Sequence, residues 1–271
     1  MTGHGESHGA ISVMNAIPCG IGSTIGIDLL TEADFSSSDH THIELVDRPE
    51  MNTGLVRTCV KRTLDTVGAE RFEYNLSVKT QIPPSMGLKS SSSVCNAVIS
   101  AVLDHLGVKM DMIDIIRLGV QCAKDCKVTI TGAFDDACGC GLGGLVVTDN
   151  SSNELILRKE IPEYDVVICI PDWSIPKSKV PVDKYHELSD AYRELVPKLE
   201  NSYLEVLTRN GEMVGNIIGN PSGISRKAME LGALAAGVTG TGPAISVVTE
   251  RGKGKDLAEE LGCRTMITRT I

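Results

Sequence analysis

The chain has 271 residues, 42% of them hydrophobic and 23% charged, which suffices to bury the core of one large domain or of two lobes sharing an interface. Its 26 basic and 35 acidic residues leave a formal charge of −9, which speaks against the basic stripe of a nucleic-acid-binding surface, and only 3% of residues are aromatic, so platforms for stacking bases are few. No apolar run reaches the ~18 residues of a membrane span, Met1–Ile11 lacks the basic-then-apolar order of a secretion signal, and nine scattered cysteines suit free thiols in a reducing compartment, so a cytoplasmic protein is expected.

Along the chain, Ala10 to Leu30 is rich in Gly, Ile and Ser and reads as strands joined by tight turns, followed by a polar loop at Ser36 to Asp39. From Asn52, apolar residues at Leu55, Val56, Cys59, Val60, Leu64 and Val67 recur at helical spacing up to a terminating Gly68. Leu76, Val78, Thr80 and Ile82 alternate with polar residues as a half-buried strand does, and Pro83-Pro84 stop it. Helices are predicted from Ser90 to just before Gly107 and from Met112 to Lys124. Strands are predicted at Val128–Thr131, Leu145–Thr148, Leu155–Leu157 and Val166–Ile170. Pro171–Pro181 is irregular, a long charged helical stretch reaches about Thr208 with a break before Pro197, and a helix is predicted around Ser225–Ala236. A Gly-rich turn, a strand at Ala244–Val248 and a helix at Lys255–Leu261 complete the pattern. Mixed elements without strict strand–helix alternation predict an α+β architecture in two lobes.

Three segments carry chemistry. In Pro83-Pro84-Ser85-Met86-Gly87-Leu88-Lys89-Ser90-Ser91-Ser92-Ser93, a strand ends and a helix begins. Gly87 lets the backbone approach a ligand, and consecutive serines at a helix N-terminus offer hydroxyls and unpaired N–H groups to an anion. Four serines that merely cap the helix are the plainer alternative. The loop is not a Walker A motif, because Gly-Lys-Ser is absent. In Thr131-Gly132-Ala133-Phe134-Asp135-Asp136, two acids stand in a Gly-rich apolar setting where an unpaired charge is costly, so one is expected to face a cation or a reacting hydroxyl; an Asx turn at a strand end is the alternative. Gly237–Ala244, with Gly240, Thr241 and Gly242, is a loop able to fold over a ligand with its amides exposed. Entered from a helix and lacking a third glycine, it makes no dinucleotide fingerprint. Cys122, Cys126, Cys138 and Cys140 lack the C-x2-C interval of a zinc knuckle and read as buried thiols. His4 and His8 stand four apart in what reads as a flexible terminus, where the spacing is incidental.

With these three segments in this order, the chain resembles the GHMP superfamily of small-molecule kinases. Pro83, Gly87, Leu88, Ser90 and Ser91 match its Pro-x3-Gly-Leu-x-Ser-Ser motif, Asp136 precedes Gly143-Gly144 by the interval of the family's catalytic Asp, and Gly237–Ala244 matches its third motif. Gly-Leu-Lys-Ser-Ser-Ser at 87–92, Thr-Gly-Ala-Phe-Asp-Asp at 131–136 and Gly-Thr-Gly-Pro-Ala at 240–244 resemble the archaeal-type shikimate kinases within it, as do Asn15-Ala16-Ile17 and Gly26-Ile27-Asp28-Leu29. The chain departs from the wider family at Lys89 and Ser92, where Gly and Ala are usual. Some members also set an N-terminal lysine beside the catalytic Asp, whereas the first lysine here is Lys61.

The resemblance implies a two-lobed GHMP-kinase fold of class α+β with mixed sheets and helices. Residues 1–150 would hold the phosphate loop and catalytic Asp, and 151–271 the Gly-rich loop. It implies transfer of the γ-phosphate of ATP to the 3-hydroxyl of shikimate, a step toward chorismate and the aromatic amino acids; another small alcohol such as homoserine or mevalonate is the alternative acceptor. Nucleic acid and membrane are not expected partners. Asp136 is the implied base, with Asp135 either orienting it or capping the turn. Pro84, Ser85, Gly87, Leu88, Lys89, Ser90, Ser91, Ser92, Gly240, Thr241 and Gly242 would bind ATP. Ser91 would ligate Mg²⁺, with Asp125 either a second ligand or simply solvated. Lys89 suits the ATP phosphates or a substrate carboxylate, and its first-turn position disfavours a merely solvated lysine because the helix dipole repels a cation there. Arg48, Arg57, Lys177 and Lys179 are candidates for the carboxylate.

Overall fold

Two long antiparallel strands, β1 (Gly3–Met14) and β2 (Ile21–Ser37), form the spine of the molecule. The structure, a computed structural model, describes residues 2–176, 179–220 and 223–271. β2 pairs along its outer edge first with β5 (Leu145–Asp149) and then with β4 (Tyr74–Thr80), both antiparallel. β6 (Glu154–Lys159) and a short β3 (His42–Leu45) close the two ends of this six-stranded sheet, β3 running parallel to β4. Residues 154–159, expected at the start of the second lobe, therefore belong to the first sheet. The second sheet is antiparallel, in the order β10 (Thr265–Arg269), β7 (Asp165–Cys169), β9 (Ile245–Thr249), β8 (Ala235–Val238). The α+β class holds.

Four helices cover one face of the first sheet: α1 (Gly54–Val67), α2 (Ser90–Leu106), α3 (Met112–Asp125) and α4 (Phe134–Leu142). The apolar faces of α1, α2 and α3 meet Phe35, Leu76 and Val78 of the sheet, all at most 4% exposed, while Phe134, Ala137 and Cys138 of α4 pack against Ile116, Val120 and Val146. A second cluster, from Ile11 and Ile25 through Leu145 to Ile168, Tyr192 and Val248, joins the two sheets, so burial of apolar area cements them. Beyond them lie α5 (Val182–His186), α6 (Ser189–Leu195), α7 (Tyr203–Ile218), α8 (Gly223–Glu230) and α9 (Gly254–Leu261).

Four expectations are corrected. Val128–Thr131 is an irregular wall and not a strand, and the acidic segment after it opens α4. Its glycines disfavour a helix by propensity, but at Gly139 the close approach to β2 requires a glycine, since a Cβ there would sit 2.2 Å from Thr24 Oγ1. Ala235–Val238 is a strand and not the end of a helix, because pairing with β9 claims its backbone. The Gly-rich loop at 239–243 is thus entered from a strand. The N-terminus is no flexible tail, since His4 and His8 lie on β1.

Candidate functional site

The three motifs converge on one cleft of about 360 Å³, within the range of small-molecule sites. Its lining includes Pro84, Ser85, Gly87, Leu88, Lys89, Ser90, Ser91, Ser92, Asp135, Asp136, Gly240, Thr241 and Gly242. The phosphate loop and the Gly-rich loop are fastened through Thr239. Its hydroxyl donates to the Gly87 carbonyl at 3.1 Å and accepts from the Ser12 N–H at 2.9 Å. Gly87 has φ +77°, and a Cβ there would lie 2.0 Å from the Thr239 carbonyl oxygen, so backbone meets backbone with no room for a side chain. Asn15 adds a second tie, its Nδ2 donating to the Gly240 carbonyl at 3.1 Å while its Oδ1 accepts from the Ile17 N–H.

Three of the four serines line the cleft; Ser93 is fully buried and points into the core. No side chain caps α2, so its first-turn N–H groups face the cleft region unclaimed by a cap. That free helix start, three hydroxyls and a glycine cradle fit a phosphate chain. Ser91 stands among these hydroxyls.

Lys89 occupies the N-cap position with φ +68°. Its side chain is 5% exposed, and Nζ donates to Asp136 Oδ1 and to Ser12 Oγ, each at 2.7 Å. Burial alone lowers the affinity of this ammonium for its proton, but Asp136 and Asp135 outweigh it and hold its pKa above the ordinary value. The first lysine of the sequence is Lys61, and the ammonium beside Asp136 comes instead from the phosphate loop. Sequence spacing gave no sign of this, because Lys89, Ser12 and Asp136 come from three separate elements.

The two aspartates differ sharply. Asp136 keeps 20% of its side chain exposed to the cleft. Asp135 is 4% exposed, lies against Gly22 of β2 and is held by Asn150, whose Nδ2 donates to its Oδ1 at 2.7 Å. Burial, with Asp136 adding to it, pushes the Asp135 carboxyl up to about 6.

Other expected residues do not reach the cleft. Asp125, at the end of α3, pairs with Arg62 on an open surface; both side chains are 41% exposed and neither lines the cleft. Its placement on the solvent side of α3 is the physical reason, and the expectation of a metal ligand there is corrected. Arg48 donates to the Ile82 carbonyl at 2.9 Å, and Arg57 donates to Thr53 Oγ1. Neither they nor the exposed Lys179 line the cleft, and Lys177 lies outside the described residues. Ser12 and Lys127 belong to the cleft walls though nothing in the motifs singled them out, while Asn15 and Thr239, which lie inside the matched stretches, act as ties of the loops. His4 donates to the carboxylates of Asp34 and Glu6 on the far end of the hairpin, and His8 does not join it.

Residues 54–144 match the family model described as the GHMP kinases N terminal domain. The chain is 37% identical over 264 residues to a shikimate kinase of Methanothrix thermoacetophila, covering 96% of this chain and 89% of that one. It is 37% identical over 280 residues to a shikimate kinase of Methanococcoides burtonii, covering 99% and 96%. In three dimensions it is similar to the Methanococcus jannaschii mevalonate kinase, with a TM-score of 0.79 at 16% identity, covering 100% of this chain and 98% of that one, which speaks for the fold alone. The chain belongs to the GHMP kinases, within the archaeal-type shikimate kinase group of that superfamily.

Proposed function

We propose that the protein phosphorylates the 3-hydroxyl of shikimate with the γ-phosphate of ATP. The observation that carries the kinase reading is the meeting, in one cleft, of an open helix N-terminus lined by serine hydroxyls with the partly exposed Asp136 carboxylate. Phosphoryl transfer needs mainly positioning and charge stabilisation, and both halves of that requirement have residues here.

In this reading the first-turn N–H groups of α2 and the hydroxyls of Ser90 and Ser92 hold the phosphates. Pro84, Ser85, Gly87 and Leu88 shape the loop around the nucleotide, and Gly240, Thr241 and Gly242 cover it from the other side. Ser91 would hold Mg²⁺, which when bound neutralises charge on the phosphate chain. Asp136 accepts the proton of the acceptor hydroxyl as its oxygen bonds to the γ-phosphorus and the bond from that phosphorus to the bridging oxygen breaks, releasing ADP. Asp135 positions Asp136 by anchoring the start of α4 against β2.

Shikimate is favoured over homoserine or mevalonate because relatives named shikimate kinases match nearly the whole chain at 37% identity, while the mevalonate kinase similarity is one of fold. A coupled assay of ADP release with ATP, Mg²⁺ and each of the three alcohols tests this. Turnover is expected with shikimate; turnover with homoserine or mevalonate but not shikimate overturns the acceptor and leaves the kinase class.

A further inference from the structure

We propose that Lys89 is a positioning residue for the base: from the loop that cradles the phosphates its ammonium, set into the cleft wall, holds the Asp136 carboxylate for the acceptor hydroxyl, and does not serve chiefly as a nucleotide-binding cation. The inference rests on the kinase reading above.

The placement of the ammonium carries it. An N-cap lysine that served the phosphates would present its head to the open cleft, whereas this side chain is 5% exposed. Two of its three N–H groups are spent internally, on Asp136 Oδ1 and Ser12 Oγ, both at 2.7 Å. The backbone is committed to that direction, since Lys89 takes the left-handed φ of +68°, which a residue with a side chain rarely adopts. Its carbonyl accepts a weak bond from the Cys140 thiol of α4 at 3.8 Å. The Gly-rich loop walls it from the other side: a Cβ on Gly240 would come within 3.1 Å of Nζ. The ionisable groups around it are Asp136, Asp135 and Cys140, all from α4. Lys89 thus lies where β1, α4 and both loops meet. A shift of the phosphate loop moves the partner that orients Asp136.

The test is steady-state kinetics on the intact protein with ATP and shikimate, alongside calorimetric binding of a non-hydrolysable ATP analogue and thermal unfolding. Lys89→Ala is expected to lower kcat by about 10²-fold or more while KM for ATP and analogue affinity stay within about threefold. Lys89→Met, which keeps the packing of the stem, is expected to do the same. Ser12→Lys in the Lys89→Ala background returns an ammonium to the neighbourhood of Asp136 from β1 and is expected to recover at least tenfold of the lost kcat. An unchanged kcat in Lys89→Ala or Lys89→Met overturns the proposal, as does a large rise in KM for ATP with kcat kept, which marks a nucleotide-binding cation. If the single variants fail to fold, the double variant decides: folded and active it supports the assignment, folded and inactive it overturns it. Wild-type protein inactive on every alcohol tested removes the kinase reading and this one with it. Active wild type with equally active Lys89 variants removes only this one.

Discussion

Asn150 grips Asp135 from two directions. Its Nδ2 donates to the carboxylate at 2.7 Å, and its Oδ1 accepts from the Asp135 N–H at 3.1 Å. The same Oδ1 accepts from the Thr148 hydroxyl at 2.8 Å, so β5 and the start of α4 form one hydrogen-bonded unit. This buried acid is therefore built into the scaffold beside the one that faces the cleft.

Its ionisation has a consequence for stability. The folded-state value of about 6 lies above the ordinary 3.8, so the fold favours the protonated carboxyl. That contribution is fully present below about pH 4 and is lost as pH rises through about 6, by at most about 3 kcal/mol. Denaturant midpoints of wild type and Asp135→Asn at about pH 4.5, 5.5 and 7 should show wild type losing stability relative to the variant across that series. A difference that stays constant with pH sinks the assignment.

The two neighbouring acids should separate kinetically. Asp136→Asn keeps size but cannot accept a proton, so kcat should fall about 10²–10⁴-fold with ATP affinity little changed. Asp135→Asn should be milder in kcat. Measuring kcat for both variants, with analogue binding as the control for folding, decides it; a crippled Asp135→Asn beside a near-normal Asp136→Asn reverses the roles.

For magnesium, Ser91→Ala should lower turnover and raise the Mg²⁺ concentration needed for half-maximal rate, with little change in unfolding temperature. Asp125→Asn should leave both within about twofold, because it loses only a solvent-exposed pair with Arg62. A magnesium titration on the two variants is the check, and the opposite pattern would return the metal to Asp125.

Gly87→Ala should disable the site by unfastening the loops. Its Cβ would collide with the Thr239 carbonyl oxygen at 2.0 Å, and backbone on both sides must then move. Nucleotide affinity should drop at least tenfold, whereas Gly68→Ala, where nothing lies within 4 Å of the added carbon, costs only the strain of a positive φ, about 1 kcal/mol. Analogue binding and thermal unfolding on the two variants compare them directly.

Much of the site was legible in the sequence because its parts are local. A strand stopped by Pro83-Pro84, Gly87 at the turn and serines opening a helix are read from neighbours within a dozen residues, and they form the loop that was expected. The seven-residue interval from Asp136 to Gly143-Gly144 is likewise carried by one short helix and its turn. Most strands and helices followed their apolar periods for the same reason.

What only the tertiary structure decided depends on distant partners. Ala235–Val238 has the small residues of a helix end, yet it is a strand because β9 pairs with it and Gly237 lets α7 lie directly on it, a Cβ there meeting Gly211 Cα at 2.7 Å. Asp125 stands eleven residues before Asp136 with nothing local to exclude it from a metal site. The path of the chain between them turns it outward to Arg62. Lys89 reads locally as a phosphate-loop cation, and its partner on β1 is 77 residues away. Composition and spacing determined which residues form each motif. Burial decided which of them face one another, because the energy of a buried charge depends on what the fold brings beside it.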